Sequence, residues 1–357
     1  MSRFFSSKHA ALVPYVPGEQ PRDMQYIKLN TNESPFPPAP AVVAAAEREA
    51  GKLNLYCDTD CTELRAAAAK VFGLKPENIL PVNGSDEILY FAFMAFCDET
   101  HPIAFPDISY GFYPIYADIH HIPAHVIPLK DDFTIDHRDF CGLNETIVIA
   151  NPNAPTTLTL TTAQIEEILQ TNPDNVVIID EAYIDFGGES CVPLIKKYEN
   201  LLVTQTCSKS RSLAGARLGF GLGNEALIAD LNTIRNSTNP YNVNRMTQAA
   251  GIAALEENDY YMANCRIIMK NREHTAAELR KRGFEVLPSS TNFLFAQSPD
   301  ISGRELYPAL REKGILVRYF KKARIDNFTR ITVGTREQMD AFLAAVDDIL
   351  KERGITP

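Results

Sequence analysis

The sequence predicts an α/β protein in which a large, mostly parallel sheet is followed by a smaller α+β domain. Three observations carry this. Between residues 102 and 206, short β-rich runs alternate with helical segments, the pattern of a parallel sheet covered by helices on both faces. After about residue 245 the pattern changes to a long helical stretch and then to short strands flanked by two helices, which is an α+β arrangement. The 357 residues, 45% of them apolar and 22% charged, suffice for about two domains whose cores need neither disulfide nor metal staples.

Taken in order, Pro14, Pro17, Pro21, Pro35, Pro37, Pro38 and Pro40 disfavour helix or central strand, so the chain opens as an extended arm. Two helices follow around 42–46 and 64–71, the second stopped by Gly73, and both precede the first strand. Strands are expected at 102–105, 125–128, 146–150, 176–180 and 201–206, with helices near 88–96 and 163–169. Residues 246–282 read as one helical stretch. Strands at 285–287, 292–296, 316–318 and 330–333 come next, flanked by helices at 302–313 and 336–353.

Composition excludes several functions. A formal charge of -10, with no basic tract longer than that around Lys321, Lys322 and Arg324, is unsuited to a nucleic-acid groove. Seven cysteines, an odd number without repeated spacing, fit a reducing compartment better than a secreted disulfide framework. The pair His120-His121 has no third ligand nearby, and no metal motif occurs, so no metal is expected. The first residues form no apolar signal core and no ~18-residue apolar run spans a bilayer, so the expectation is a cytoplasmic protein without membrane contact.

Three local patterns carry chemistry. Lys209 lies among small hydroxyl residues, Ser208 and Ser210, just after the apolar run 201–204. A lysine desolvated at the end of a buried strand is disfavoured as a cation and suited to Schiff-base chemistry; the alternative is a solvated loop lysine. Asp180 and Tyr183 follow the fully apolar run 176–179, and ligands bind beyond the carboxyl ends of parallel strands. The alternative for Asp180 is a turn or helix cap. Gly84-Ser85-Asp86 opens a helix whose free N–H groups can hold a phosphate, or serves as plain capping. Gly219, Gly221 and Gly223 form an incomplete dinucleotide fingerprint, because Asn224 follows.

Together these patterns resemble the fold-type I aminotransferases that use pyridoxal 5'-phosphate. Asp180 precedes Lys209 by 29 positions, Arg217 follows it by 8, and 151–156 reads Asn-Pro-Asn-Ala-Pro-Thr. The resemblance implies a seven-stranded-type sheet and a shared-site homodimer. It also implies an arm over 1–38 that packs with a small domain over 256–357, beside a large cofactor-binding domain over 39–255. It makes Lys209, Asp180 and Tyr183 catalytic. Lys209 would join the cofactor aldehyde and then carry protons, Asp180 would pair with the ring nitrogen, and Tyr183 would bond the ring's phenolic oxygen. Tyr110 would stack on the ring. Gly84, Ser85, Asp86, Thr206, Ser208 and Arg217 would hold the phosphate, with Tyr56 reaching it from the neighbouring subunit. One departure stands out: Ala154 and Thr157 replace the family's usual Asn and Gly. Either Asn153 or Asn151 compensates, or Tyr183 works alone.

Within this superfamily the stretches 29–35, 179–183 and 330–335 resemble the histidinol-phosphate aminotransferases. That resemblance implies transamination of L-histidinol phosphate with 2-oxoglutarate, in histidine biosynthesis. Arg318 and Arg330 would converge on the substrate's anionic end, helped by Tyr15, with Asn32, Tyr241 or Asn292 lining the pocket. Aromatic amino-acid aminotransferases and threonine-phosphate decarboxylases share most of these motifs and are the rival readings; a non-catalytic protein on the same fold would not need Lys209, Asp180 and Arg217.

Overall fold

The computed structural model describes residues 2–355; Met1 of the expected arm and residues 356–357 of the expected small domain lie outside them. After a 3-10 turn at Ser7–His9 the arm runs irregularly to a two-residue strand, β1 (Ile27–Lys28). A strand therefore comes before the helices, contrary to expectation. Two residues are too few to leave a pattern, and the parallel partner, Ile315–Leu316, lies at the far end of the chain. The helices are α1 (Pro40–Ala50), with proline in its first turn where a missing N–H costs nothing, and α2 (Thr62–Phe72), which ends on Gly73 at φ 64°.

The next elements are β2 (Ile79–Val82), α3 (Ser85–Phe96), β3 (Ile103–Pro106), α4 (Tyr113–His120), β4 (Ala124–Ile127) and β5 (Thr146–Ala150). They are followed by α5 (Thr162–Thr171), β6 (Val177–Asp180), β7 (Leu201–Thr206), β8 (Gly219–Gly223) and α6 (Glu225–Thr238). The seven strands form one sheet in the order β2-β8-β7-β6-β5-β3-β4, in which only β8 runs against its neighbours. Along β6, Val177 and Ile179 join one core layer with Ile147, Ile149, Leu201 and Val203, while Ile178 joins the other with Val148 and Leu202. Both faces are covered, which is why the strand is apolar throughout. The sequence reading missed β2, which contains Pro81, and β8, which alternates with glycine; proline and glycine are both depleted in strands. The β8 glycines are needed for contact: a Cβ on Gly219 would lie 2.6 Å from the Ser85 amide nitrogen, and one on Gly221 2.5 Å from Ile88. The start of α3 thus rests directly on β8.

The long helical stretch is two helices, α7 (Arg245–Glu256) and α8 (Asn258–Lys281), because Glu257, at ψ 28°, leaves the helical region. α7 packs into the first core layer, whereas α8 from Cys265 onward belongs to a separate C-terminal core. That core is built on β9 (Glu285–Val286), β10 (Phe293–Gln297), α9 (Gly303–Glu312), β11 (Ile315–Leu316), β12 (Arg318–Tyr319), β13 (Thr329–Thr332) and α10 (Arg336–Glu352). Four of its strands form an antiparallel sheet, β12-β13-β10-β9, and β11 pairs with β1. The strand expected at 316–318 is thereby divided between two sheets. Leu29 of the arm is buried in this C-terminal core. Among the described residues no helix is long and apolar enough to cross a membrane, and no cluster of His, Cys, Asp or Glu suits a metal ion.

Candidate active site

The carboxyl ends of β5, β6 and β7 face a cavity of about 330 Å³, where ligands bind in open sheets of this kind. It is lined by Ser85, Asp86, Tyr110, Asp180, Tyr183, Thr206, Ser208, Lys209 and Arg217, all singled out from sequence. Strand register explains part of this convergence, since Ala150 pairs with Asp180 and Asp180 with Thr204 across three adjacent strands. Lys209 sits in the turn after β7. Its Nζ donates to the Thr31 carbonyl at 3.3 Å and lies 5.9 Å from the centre of the Tyr183 ring. The aromatic wall is Tyr110, whose hydroxyl donates to Asp86 Oδ1 at 2.6 Å.

Asp180 is buried, 4% exposed, and its Oδ2 accepts from the Tyr113 hydroxyl at 3.0 Å while Oδ1 accepts from the Ala182 N–H at 3.3 Å. Burial raises its pKa to about 6, against the pull of the Tyr113 bond. Glu181 points the other way, into the protein, where it accepts from Ser190, Gln205 and the Cys191 N–H; burial raises it to about 7.

At the cavity's other end, the amides of the first turn of α3 are unused by any side-chain cap. Thr206 and Ser208 share a 2.9 Å hydroxyl bond beside them. Arg217 reaches in with three long bonds, 3.3 Å to the Ala214 carbonyl, 3.4 Å to Ser208 and 3.5 Å to the Asp86 carboxylate. A Cβ on Gly84, at φ 81°, would lie 2.5 Å from Arg217 Nη2, so glycine keeps the cradle open. Free helix amides, two hydroxyls and an underused guanidinium make an anion site, with the Asp86 carboxylate on its rim.

A second, larger cavity continues from the first and adds Tyr15, Asn32, Arg318 and Arg330 to the shared Tyr183 and Lys209. Arg318 and Arg330 pair directly opposite each other on β12 and β13. Like charges there repel, and neither has an acidic partner within 4 Å among the described residues. Arg318 donates to the Val16 and Pro17 carbonyls and Arg330 to the Asn30 carbonyl, leaving Arg330 Nε without a partner. Burial lowers the Arg330 pKa. Tyr15 stacks on Phe112 at 4.4 Å and closes this end with the arm.

Six residues named from sequence do not line these cavities; one, Asn151, is buried and bonded to both backbone groups of Leu160. Gly84 only caps α3. Asn153 is buried behind the wall, bonded to Ser109, Thr156 and the Ile108 carbonyl. Asn292 is buried and donates to the Asn32 carbonyl. Tyr56 and Tyr241 stack on each other at 4.3 Å on the surface, 79% and 44% exposed. Conversely, Thr31 and Glu33 line the first cavity, and Tyr113 backs Asp180, without having been foreseen. The spacing of Tyr113, three residues after Tyr110, was the only available signal.

Residues 24–346 match the model of the class I and II aminotransferases, and the fold described above is that of this pyridoxal-phosphate-dependent class. The chain is 50% identical over 353 residues to the histidinol-phosphate aminotransferase of Brachyspira hyodysenteriae, covering 98% of this chain and 100% of that one. It is 46% identical over 351 residues to the histidinol-phosphate aminotransferase of Clostridium acetobutylicum, again 98% and 100% of the two chains. The crystal structure of histidinol-phosphate aminotransferase from Sinorhizobium meliloti, in complex with pyridoxal-5'-phosphate, superposes with a TM-score of 0.85 at 25% identity over 92% of each chain. The chain therefore belongs to the histidinol-phosphate aminotransferase family.

Proposed function

We propose that this aminotransferase moves an amino group between L-histidinol phosphate and 2-oxoglutarate, giving imidazole-acetol phosphate and L-glutamate, as a cytoplasmic step of histidine biosynthesis. The observation that carries the substrate assignment is the unpaired Arg318–Arg330 couple. Two guanidinium forks facing one space without an acid are costly until an anion enters, and a dianionic phosphate can engage both. In the other half-reaction the same couple takes a carboxylate of the oxo acid. Tyr15 and Asn32 would line this end, with Asn292 behind them.

Pyridoxal phosphate fits the first cavity. Its phosphate would rest on the Ser85 and Asp86 amides, Thr206, Ser208 and Arg217, and its ring would lie against Tyr110 with Asp180 near the ring nitrogen and Tyr183 near the phenolic oxygen. When bound, the cofactor supplies an aldehyde for the amino group and a ring that withdraws electrons from the substrate carbon. The protein's own groups do the rest. Lys209, tethered only by one long bond to Thr31, is free to take and return the proton at the substrate carbon. Asp180 holds a negative charge where the ring needs a protonated nitrogen, and Tyr113 steadies that carboxylate.

The exposed Leu53, Leu55 and Tyr56 support a homodimer in which Tyr56 reaches the partner's phosphate site. The free cysteines support a reducing compartment. Steady-state turnover with histidinol phosphate, tyrosine and threonine phosphate tests the assignment. We expect histidinol phosphate to have the highest kcat/KM and Arg318→Ala to raise its KM. A protein that prefers tyrosine, or that decarboxylates threonine phosphate, would overturn it.

A further inference from the structure

We infer that Asn32 is a positioning residue that aims the Tyr183 hydroxyl proton into the active-site cavity, and that Tyr183 does this work without a companion donor. The inference rests on the cofactor placement proposed above.

Asn32 is 1% exposed and sits at φ 57°, a conformation asparagine tolerates better than most residues. Four hydrogen bonds hold it. Its N–H donates to Thr332 Oγ1 at 3.0 Å, and the Thr332 hydroxyl donates back to Asn32 Oδ1 at 2.9 Å. Asn292 Nδ2 donates to its carbonyl at 3.0 Å. The Thr332 oxygen already accepts from the Asn32 N–H, so its own proton needs an acceptor, and that identifies the near side-chain atom as Oδ1. The other atom is therefore the amide nitrogen, which donates to Tyr183 Oη at 3.0 Å. A phenol that accepts this bond has its own proton directed elsewhere, and Tyr183 borders both cavities beside Lys209. The proton is left free for the cavity.

Among the described residues, the loop at 151–154 places no second donor on this wall. Asn151 is consumed by Leu160, with Nδ2 to its carbonyl and Oδ1 from its N–H. Asn153 spends its amide on Ile108 and Thr156 and its oxygen on Ser109. Ala154, the one residue of the three that reaches the cavity, has no polar side-chain atom. A hydrogen bond to an anionic ring oxygen thus comes from Tyr183 alone, and Asn32 decides whether it is made.

The test is the pH midpoint of the visible absorbance change in the protein reconstituted with pyridoxal phosphate. A donor to the ring oxygen favours its anionic form and lowers the midpoint. Asn32→Gly keeps the backbone at positive φ while removing the amide, and we expect it to raise the midpoint by about half a pH unit or more, with Tyr183→Phe raising it at least as far. In the Tyr183→Phe background Asn32→Gly should add nothing, because it acts through the phenol. Ala154→Asn, which leaves Asn32 in place, should lower the midpoint by supplying the missing donor. An unmoved midpoint in Asn32→Gly, or full additivity with Tyr183→Phe, overturns the inference while the cofactor assignment stands. A wild-type protein with no pH-dependent visible band overturns both.

Discussion

Tyr113→Phe removes one hydroxyl from the wall behind Asp180 and leaves the ring packing of α4 in place. The lost bond is 3.0 Å long and lies between two buried groups. A hydrogen bond to a charged acceptor contributes about 1.5–3 kcal/mol, which at 1.36 kcal/mol per pH unit corresponds to about one to two units. Asp180, already raised to about 6 by burial, would move to roughly 7–8 without it. At neutral pH the wild-type carboxyl is then about nine-tenths ionised, and the variant between roughly half and a tenth. On the proposed cofactor placement only the ionised form pairs with a protonated ring nitrogen, so pyridoxal phosphate affinity of the apo-protein should fall as pH drops through about 6 in wild type. In the variant the fall should begin one to two units higher. Fluorescence titration of the apo-protein from pH 5 to 9 measures this directly. Superimposable pH profiles for the two proteins would refute the claim that the Tyr113 bond keeps Asp180 charged.

Gly84→Ala should weaken cofactor binding at least about tenfold by calorimetry, because its Cβ would meet Arg217 at 2.5 Å and its φ of 81° strains any L residue. Thr157 also occupies a left-handed conformation, φ 69°, but its hydroxyl donates to the Pro288 carbonyl at 2.6 Å. Thr157→Val should therefore lose about 1–3 kcal/mol in urea unfolding, while Thr157→Gly, which relieves strain as it loses the bond, should lose less. The raised Asp180 and Glu181 carboxyls bind protons more tightly folded than unfolded. Their contribution to apo-protein stability should thus be fully present below their ordinary values near 4 and be lost as pH rises through about 6 and about 7. Asp180→Asn should flatten the lower part of that decline, and an unchanged slope of unfolding midpoint against pH would contradict the burial argument. Under the proposed shared-site homodimer, mixed dimers of Lys209→Ala and Tyr56→Ala subunits should show more activity than either parent, since one of the two sites is then intact.

Much of the site was legible because its chemistry is local. Lys209 and Asp180 each sit within a few residues of a strand end, so an apolar run followed by a polar residue points to the same edge of the sheet wherever the strands pair, and Ser85 shows in the small residues that open a helix. What escaped was of two kinds. Strands β2 and β8 and the break at Glu257 are set by what packs on them: the β8 glycines exist because α3 lies against them, and no propensity encodes that. Tyr113 and the buried asparagines escaped because a side chain's role depends on its partner. Asn153 looked like a ligand residue, but its amide is spent on Ile108 and Thr156.

By itself the sequence determined the class of sheet and the run of strands with both faces apolar, and through its family resemblance it pointed to the lysine, aspartate and arginine at their spacing. Only the tertiary structure decided which distant groups meet. Arg318 faces Arg330 because β12 and β13 share one register, and Asn32 reaches Tyr183 because the arm is stitched to β13 through Thr332. Helix and strand formation depend on neighbours along the chain, whereas a hydrogen bond's direction and a charge's partner depend on groups brought close by packing. That is why Tyr183 could be named from the sequence, while the direction of its proton could not.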